Sequence, residues 1–252
     1  MPRHDGDAGG DRDVLAAKAA LRDDVWSALK AAGASRFPGA EGRIPNFTGA
    51  ETAAERLRAT PQWARARTLK ANPDSPQWPV RQRALEDGKT VFMAVPRLAS
   101  ERPFFLLDPA RLTVSARTAS SIKGASVHGF PVDVAELEPV DLVVAGCVAV
   151  SPDGDRLGKG GGFSDLEFAV AWEAGLVDEH TVVATTVHEV QVVEAGRIPM
   201  TAHDLRLDLI VTPGRVIECR RDGDGRGSAG IRWGELTEGK IAAIPLLARS
   251  RP

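Results

Sequence analysis

The sequence has 252 residues, of which 43% are hydrophobic and 26% are charged, and its formal net charge is −2. This length and composition suit a globular protein with a large buried core. The near-neutral charge excludes the strong basic field of a typical nucleic-acid-binding protein, although it leaves room for a local basic loop that holds a small phosphorylated ligand.

The first residues, the lengths of the apolar runs and the two cysteines are the features that predict the cellular compartment. The first dozen residues are polar and glycine-rich, without the apolar core of a signal peptide, and no apolar run approaches the roughly 20 residues of a membrane span. Cys147 and Cys219 lack the spacing of a zinc site or a disulfide framework. We therefore expect a cytoplasmic protein without membrane or nucleic-acid partners, with a disordered tip over residues 1–12 and one domain over residues 13–252.

Helices are predicted in the first quarter of the chain. Over residues 13–32, apolar side chains recur at helical spacing, and Gly33 provides a stop. Prolines and glycines indicate a loop over residues 36–46. A second helix is predicted over residues 49–57, and Pro61 interrupts or ends it.

From residue 68 onward, short β-branched segments alternate with helical segments. Strands are predicted over residues 68–71, 90–95, 142–150, 181–187, 209–212 and, as a hairpin-like edge, 216–219. Helices are predicted over residues 80–87, 132–137 and 164–174, and a solvated charged loop over residues 220–228. This alternation predicts an α/β fold, a single three-layer α/β/α domain with a mostly parallel sheet. In such sheets, ligands bind beyond the carboxyl ends of the strands.

The segment with the strongest chemical signature is the loop 156–165, which reads Arg-Leu-Gly-Lys-Gly-Gly-Gly-Phe-Ser-Asp. A strand is predicted before it and a helix after it, so backbone N–H groups and the helix N-terminus can converge on an anion. Arg156 and Lys159 supply the cations that a triphosphate requires. The spacing is not that of a Walker loop, and a tight flexible turn is the structural alternative. Asp165 either caps the following helix or holds Mg²⁺.

This loop resembles the signature of the 5-formyltetrahydrofolate cyclo-ligase family, which usually reads Arg-Leu-Gly-basic-Gly-Gly-Gly-Tyr-Tyr-Asp. Three further segments match in order: Lys18 with Leu21-Arg22, then Val95-Pro96-Arg97, then His203-Asp204 followed by residues 208–213. The resemblance covers residues 13–219. It implies an enzyme that uses ATP and Mg²⁺ to close a ring on a reduced folate.

The resemblance also implies roles for individual residues. Lys159 and Arg156 are the implied catalytic residues, and Asp165 is the implied Mg²⁺ ligand. Lys18 and Arg22 are implied to reach the nucleotide, although their spacing of four residues equally suits a solvated helical face. The implied ATP-binding set is Lys18, Arg22, Arg156, Gly158, Lys159, Gly160, Gly161, Gly162 and Asp204.

The predicted substrate-binding residues are Phe163, Asn72, His188 and His203. Phe163 can stack on a pterin ring, but it lacks the hydroxyl of the family's tyrosine because the chain contains no tyrosine. Asn72 and His188 each follow a predicted strand, and Asn72 equally suits a simple Asn-Pro-Asp turn. His203 precedes Asp204, whose carboxylate can set the charge and tautomer of the imidazole.

Three functions remain open at this point. The first is a cyclo-ligase that converts 5-formyltetrahydrofolate to 5,10-methenyltetrahydrofolate through a phosphorylated formyl intermediate. The second applies the same ATP chemistry to another N-formyl or amide compound, with thiamine-related metabolism as one setting; the missing tyrosines and the altered loop exit over residues 163–169 favour it. This exit and the segment 70–77 resemble a paralogous branch of the family. The third is a nucleotide-binding protein without turnover. The sequence does not indicate an oligomeric state.

Overall fold

The computed structural model describes residues 7–220 and 230–252 of the protein. The strands, in chain order, are β1 (Thr68–Ala71), β2 (Thr90–Ala94), β3 (Phe104–Leu107), β4 (Phe130–Val132), β5 (Leu142–Val144), β6 (Ala149–Val150), β7 (Arg156–Leu157), β8 (Val182–Thr186), β9 (Leu209–Val211) and β10 (Val216–Glu218). The helices are α1 (Asp7–Ala31), α2 (Ala50–Arg58), α3 (Pro61–Arg65), α4 (Trp78–Glu86), α5 (Ala116–Ala119), α6 (Ile122–His128), α7 (Phe163–Glu173), α8 (Glu238–Ala243) and α9 (Pro245–Ser250).

The main sheet has eight strands in the order β10-β9-β8-β5-β1-β2-β3-β4. The consecutive strands from β9 to β2 run parallel to one another. Antiparallel strands extend both edges, with β10 on one side and β3 and β4 on the other. The predicted α/β fold with a mostly parallel sheet is therefore confirmed, as is the hairpin-like edge formed by β10.

Alternate residues of each central strand point to opposite faces of the sheet. Both faces are buried, because an apolar cluster covers each of them. On β5, Leu142 and Val144 belong to the apolar cluster that contains Leu57 of α2. Val143, between them, belongs to the cluster that contains Phe168 of α7. The sheet thus lies between two layers of helices, which is the arrangement that a parallel sheet requires.

The two ends of the described chain pack on different parts of this frame. On α1, Leu21 and Leu29 pack against Leu157 of the small antiparallel sheet formed by β6 and β7. At the other end, Leu247 of α9 packs with Phe104 of the main sheet. None of the helices in residues 7–220 and 230–252 combines the length and the apolarity that a membrane span needs.

The strand predicted over residues 142–150 is interrupted in the structure. β5 ends at Val144, residues 145–148 are not in a strand, and Ala149–Val150 form β6, which pairs with β7 instead of the main sheet. A Cβ atom on Gly146 would lie within 3.2 Å of Asp74 Oδ2, Ile44 Cγ2 and Gln77 Oε1, so these side chains leave little space for a side chain at this position.

Other boundaries also differ from the predictions. The helix predicted over residues 132–137 is replaced by the end of β4 and a single 3₁₀ turn, Val134–Glu136. Helix α1 begins at Asp7, so part of the tip that we expected to be disordered is helical. Residues 1–6 lie outside the described residues, as does the charged loop predicted over residues 220–228 apart from Arg220.

Two helical glycines allow a matched test of this packing. A Cβ atom on Gly124 of α6 would lie 1.7 Å from the Thr118 carbonyl oxygen, whereas no described atom lies within 4 Å of such an atom on Gly239 of α8. We expect Gly124→Ala to lower the free energy of unfolding by about 1–3 kcal/mol through overpacking. Gly239→Ala should raise it by up to about 1 kcal/mol through helix propensity. Urea unfolding measures both, and equal effects of the two substitutions would contradict the packing of α6.

Candidate nucleotide site

A cleft of about 910 Å³ opens at the carboxyl ends of the parallel strands. Asp74 follows β1, Arg97 follows β2 and Gly146 follows β5, and all three line the cleft. The opposite wall is formed by the loop 156–165 and by part of the C-terminal segment. The position is the one that a parallel sheet predicts for a ligand, and the volume suits a nucleotide-sized molecule.

The glycine-rich loop connects β7 to α7 and forms one side of this cleft. Gly160 and Gly162 have φ angles of +102° and +63°, in the region that favours glycine. Gly162 directly precedes α7, so the unsatisfied N–H groups of the helix N-terminus lie beside the loop. Gly158, Gly161 and Gly162 all line the cleft. The predicted anion cradle is therefore sterically compatible with the fold.

Arg156 is a fixed, buried charge behind the loop. Its side chain is 2% exposed and forms an ion pair with Asp165, whose Oδ1 also accepts a hydrogen bond from Leu205 N at 2.9 Å. Burial lowers the pKa of Arg156, but the charge and hydrogen bond of Asp165 together with the charges of Cys147 and Asp204 outweigh this effect, so the pKa is raised overall. Arg156 Nε has no hydrogen-bond partner among the described residues, so a buried donor remains for a ligand or a water molecule.

Helix α1 brings two of the predicted residues to the loop. Arg22 Nε donates to Gly158 O at 2.7 Å. The Nζ atom of Lys18 is buried and donates a hydrogen bond to Asp204 Oδ2 at 2.5 Å. Burial raises the pKa of Asp204, but the hydrogen bonds from Lys18 and Thr201 outweigh this effect, so the pKa is lowered overall. Arg22 thus donates to the loop itself, and Lys18 forms an ion pair with Asp204.

Lys159 reaches across the cleft to the segment that follows β1. Its Nζ lies 3.2 Å from Asp74 Oδ1, and its side chain is 44% exposed. Asp74 is held in turn by Arg81, which is buried and donates to the carbonyl oxygens of Asn72 at 2.5 Å and Asp74 at 3.2 Å. Burial lowers the pKa of Arg81 to about 10, so it stays charged at neutral pH. Lys159 is accessible, while its partner is rigidly placed.

A buried polar network lies beneath the cleft. Asn72 Nδ2 donates to Glu167 Oε2 at 2.8 Å, and Asn72 Oδ1 accepts from Gly146 N at 3.0 Å and from Ser164 Oγ at 3.1 Å. Glu167 also forms an ion pair with Lys70. Burial raises the pKa of Glu167, and Lys70 opposes that shift. Asn72 is therefore engaged in the scaffold and does not line the cleft, unlike the substrate contact that we predicted.

The two predicted histidines lie outside the main cleft. His188 Nδ1 accepts a hydrogen bond from Val190 N at 3.2 Å and caps a 3₁₀ turn. His203 Nδ1 lies 2.6 Å from Glu235 Oε2, and the ring lines a smaller pocket of about 100 Å³ on the other side of Gly162. The structure does not support a direct contact of His188 with a ligand in the cleft. It places His203 in the smaller pocket, which Gly162 of the loop also lines.

Sequence reasoning gave no role to three cations that line the cleft, Arg43, Arg97 and Lys240. Arg97 has a φ angle of +62°, which is uncommon for a residue other than glycine and marks local backbone strain. It lies in the Val95-Pro96-Arg97 segment, so that motif was a usable signal. Lys240 stands in an ordinary helical segment, and nothing in its local sequence indicates that it reaches the loop.

The residues fit a magnesium–nucleotide complex. Mg²⁺ is usually bound through one or two carboxylates together with substrate phosphates. No group of three or more potential ligands among His, Cys, Asp and Glu occurs within the described ranges. Asp165 lines the cleft beside the glycine loop and uses Oδ1 for its hydrogen bonds to protein groups. Asp165 is thus a carboxylate that could take part in holding the ion, and Asp74 and Glu167 line the same cleft.

Comparison with known proteins connects this geometry to one family. Residues 14–213 match the 5-formyltetrahydrofolate cyclo-ligase family. The methenyltetrahydrofolate synthase domain-containing protein of Bos taurus is 37% identical over 235 residues, covering 92% of this chain and 61% of that protein. Its counterpart in Homo sapiens is 33% identical over 244 residues, covering 95% and 63%. The chain therefore spans less than two thirds of the length of these relatives.

A solved structure shows the same fold. The NMR structure of the 5,10-methenyltetrahydrofolate synthetase of Aquifex aeolicus aligns with a TM-score of 0.53 and 22% sequence identity. The alignment covers 87% of this chain and 99% of that one. At this identity the match concerns the fold.

The lowered pKa of Asp204 generates a prediction about acid stability. A depressed carboxylate pKa stabilises the folded state above the unfolded pKa, and the contribution is lost as the pH falls below about 4. Replacing Asp204 by Asn should cost on the order of 3 kcal/mol near neutral pH, because Lys18 loses its buried partner. Urea unfolding at decreasing pH should show this difference shrinking. The exposed Asp23 on α1 is the control, since Asp23→Asn should show no such loss; an Asp204 effect independent of pH would contradict the assignment.

Proposed function

The chain belongs to the 5-formyltetrahydrofolate cyclo-ligase family, and we propose that it is an ATP- and Mg²⁺-dependent enzyme that converts 5-formyltetrahydrofolate to 5,10-methenyltetrahydrofolate. The observation that carries the proposal is the glycine loop before α7, which borders a cleft of about 910 Å³, carries Arg156 and Lys159 and is contacted by Arg22. The names of the curated relatives support a reaction of this type.

In the first step of the proposed reaction, the formyl oxygen attacks the γ-phosphorus of ATP. A phosphorus–oxygen bond to the formyl group forms, the bond to the bridging oxygen breaks, and ADP leaves. Catalysis of this kind consists mainly of positioning and charge neutralisation. Buried Arg156 provides a fixed charge, and exposed Lys159 can exchange Asp74 for the transferring group. Asp165 would hold Mg²⁺ beside the nucleotide phosphates, and the bound ion would supply further charge neutralisation.

In the second step, N10 of the folate attacks the activated formyl carbon, loses its proton, and inorganic phosphate leaves. The protein's part is to hold a flat ring system next to the nucleotide. Phe163 lines the cleft at the end of the glycine loop and offers an apolar surface for that ring. Asp74 and Arg97 line the same cleft and provide charged groups of both signs for the polar parts of the substrate.

A second candidate keeps the ATP chemistry and changes the substrate to another N-formyl or amide compound, with thiamine-related metabolism as one setting. Phe163 and Ser164 stand where the family usually has tyrosines, and the contacts of these two residues favour the second candidate. Ser164 Oγ donates to Asn72 in the scaffold at 3.1 Å, and the ammonium group of Lys240 lies 5.3 Å from the centre of the Phe163 ring. Neither residue offers a phenolic hydroxyl to a pterin.

A nucleotide-binding protein without turnover is the third candidate. Lys159 and Asp165 at the cleft argue against it, because a pure binder has less need of an accessible cation and a carboxylate beside the phosphates. The proposed partners are small molecules only, with no nucleic acid or membrane. A cytoplasmic location remains a prediction.

The function is tested by phosphate release from Mg-ATP, with and without 5-formyltetrahydrofolate, while the absorbance of methenyltetrahydrofolate is followed. Phosphate release that depends on the folate and matches product formation is the expected result. Binding of ATP without folate-dependent release would shift the search to other formyl and amide compounds. Binding with no turnover on any of them would favour the third candidate.

Lys159→Ala should lower kcat by about 100-fold and change the affinity for ATP far less, because the exposed ammonium acts on the transferring group rather than on the bound nucleotide. Steady-state kinetics and calorimetry of Mg-ATP binding separate the two effects. Lys30→Ala is the control, since Lys30 is exposed at the end of α1 and does not line the cleft. Unchanged turnover in the Lys159 variant would remove this residue from the chemistry.

A further inference from the structure

The C-terminal segment, residues 230–252, contributes to the cleft although it lies beyond the residues that match the family, 14–213. Lys240, Ala243 and Ile244 line the cleft together with the glycine loop. The polar group among them is Lys240 of α8. The position of Lys240 relative to the loop points to a role in ligand binding in addition to packing.

Lys240 is in direct contact with the last part of the glycine loop. Its Nζ donates to Gly161 O at 3.0 Å and lies 5.3 Å from the centre of the Phe163 ring. A Cβ atom on Gly162 would lie 3.0 Å from the same Nζ, so a side chain there would crowd the ammonium group. The absence of a side chain at Gly162 therefore allows the close approach of Lys240 as well as the positive φ angle.

The charge of Lys240 is incompletely compensated by the protein. Within residues 12–220 and 230–252, no carboxylate lies within ion-pair distance of its Nζ. Burial lowers the pKa of Lys240, and the more distant charge of Asp165 opposes this shift. An ammonium group has three donors, and the carbonyl oxygen of Gly161 takes one of them. A partly buried cation with spare donors at the edge of an anion cradle is suited to an anionic ligand.

Lys240 is also held firmly enough to act at a defined position. The adjacent Ile241 is buried in the apolar cluster that includes Phe104. Thr237 caps α8, accepting a hydrogen bond from Lys240 N at 3.2 Å. Further along, Arg249 of α9 donates to Asp133 at 2.6 Å. The segment is therefore anchored on both sides of Lys240.

We infer that Lys240 is a further anion-binding residue of the nucleotide site, donating from the C-terminal segment to a phosphate oxygen of the nucleotide held by the glycine loop. This inference rests on the proposed function, because it requires a phosphorylated nucleotide in the cleft. It adds a cation from outside the matched region to Arg22, Arg156 and Lys159, and it gives the C-terminal segment a part in ligand binding.

The test is the affinity of the full chain for Mg-ATP, measured by calorimetry in the absence of folate. Lys240→Met keeps the aliphatic stem over Phe163 and removes the charge, and it should weaken binding by tenfold or more. Lys240→Arg keeps the charge and should retain most of the affinity. Lys30→Met makes the same change in net charge away from the cleft and should bind like the wild type. The midpoint of thermal unfolding is recorded for each variant without ligand.

The outcomes separate this inference from the proposed function. If the wild type binds Mg-ATP and Lys240→Met binds it equally well, Lys240 has no role in anion binding, while the proposed function stands. If the wild type does not bind Mg-ATP, the proposed function and the inference both fail. A weakened Lys240→Met variant whose unfolding midpoint matches the wild type supports direct binding. If that variant loses affinity only by unfolding, Lys240→Gln repeats the test, and wild-type affinity of the glutamine variant would overturn the inference.

Discussion

The buried ion pair between Lys70 and Glu167 fixes the strand-to-helix geometry on which the site depends. Lys70 lies in the centre of β1, and Glu167 lies one turn into α7, so the pair joins the middle of the sheet to the helix that follows the glycine loop. Two charges in a dry interior are costly unless their remaining hydrogen-bonding capacity is used. Asn72 meets that need by donating to Glu167 and accepting from Gly146 and Ser164. The floor of the cleft is therefore a single connected network rather than a set of separate contacts.

That network explains why the two walls of the cleft are placed as they are. The end of β1 carries Asp74, whose backbone Arg81 clamps, and the start of α7 carries the loop with Lys159. Both walls are connected to Glu167 or Asn72. The buried polar network beneath the cleft therefore sets the distance between the two walls. Charged groups can then face each other across the cleft without any need for the loop itself to be internally rigid.

Local pattern was sufficient to predict the parallel strands and the loop, and insufficient where partners distant in sequence decide. The strand predicted over residues 68–71 and the helix that begins near residue 164 agree with β1 and α7 because their apolar patterns are regular. The apolar run after Leu142 gave no sign that the chain leaves the main sheet after Val144 and that Ala149 and Val150 pair with β7. The position of a polar residue after a strand also does not decide whether its side chain faces the cleft or bonds to the rest of the protein. The Asn72 side chain bonds to Glu167, Gly146 and Ser164. Lys240 could not be predicted at all, because only the packing of α8 and α9 brings it to the loop.

The glycine loop also has a consequence for the order in which the protein is made. Arg22 contacts Gly158 across a separation of 136 residues, and Lys240 contacts Gly161 across 79. Contacts of such long range form after local ones, and domains are synthesised from the N-terminal end. A nascent chain halted before α8 would already carry α1, the sheet and the loop, but not the contacts of α8 with that loop. During synthesis, the contacts of α8 with the loop are thus added only after α1, the sheet and the loop have been made.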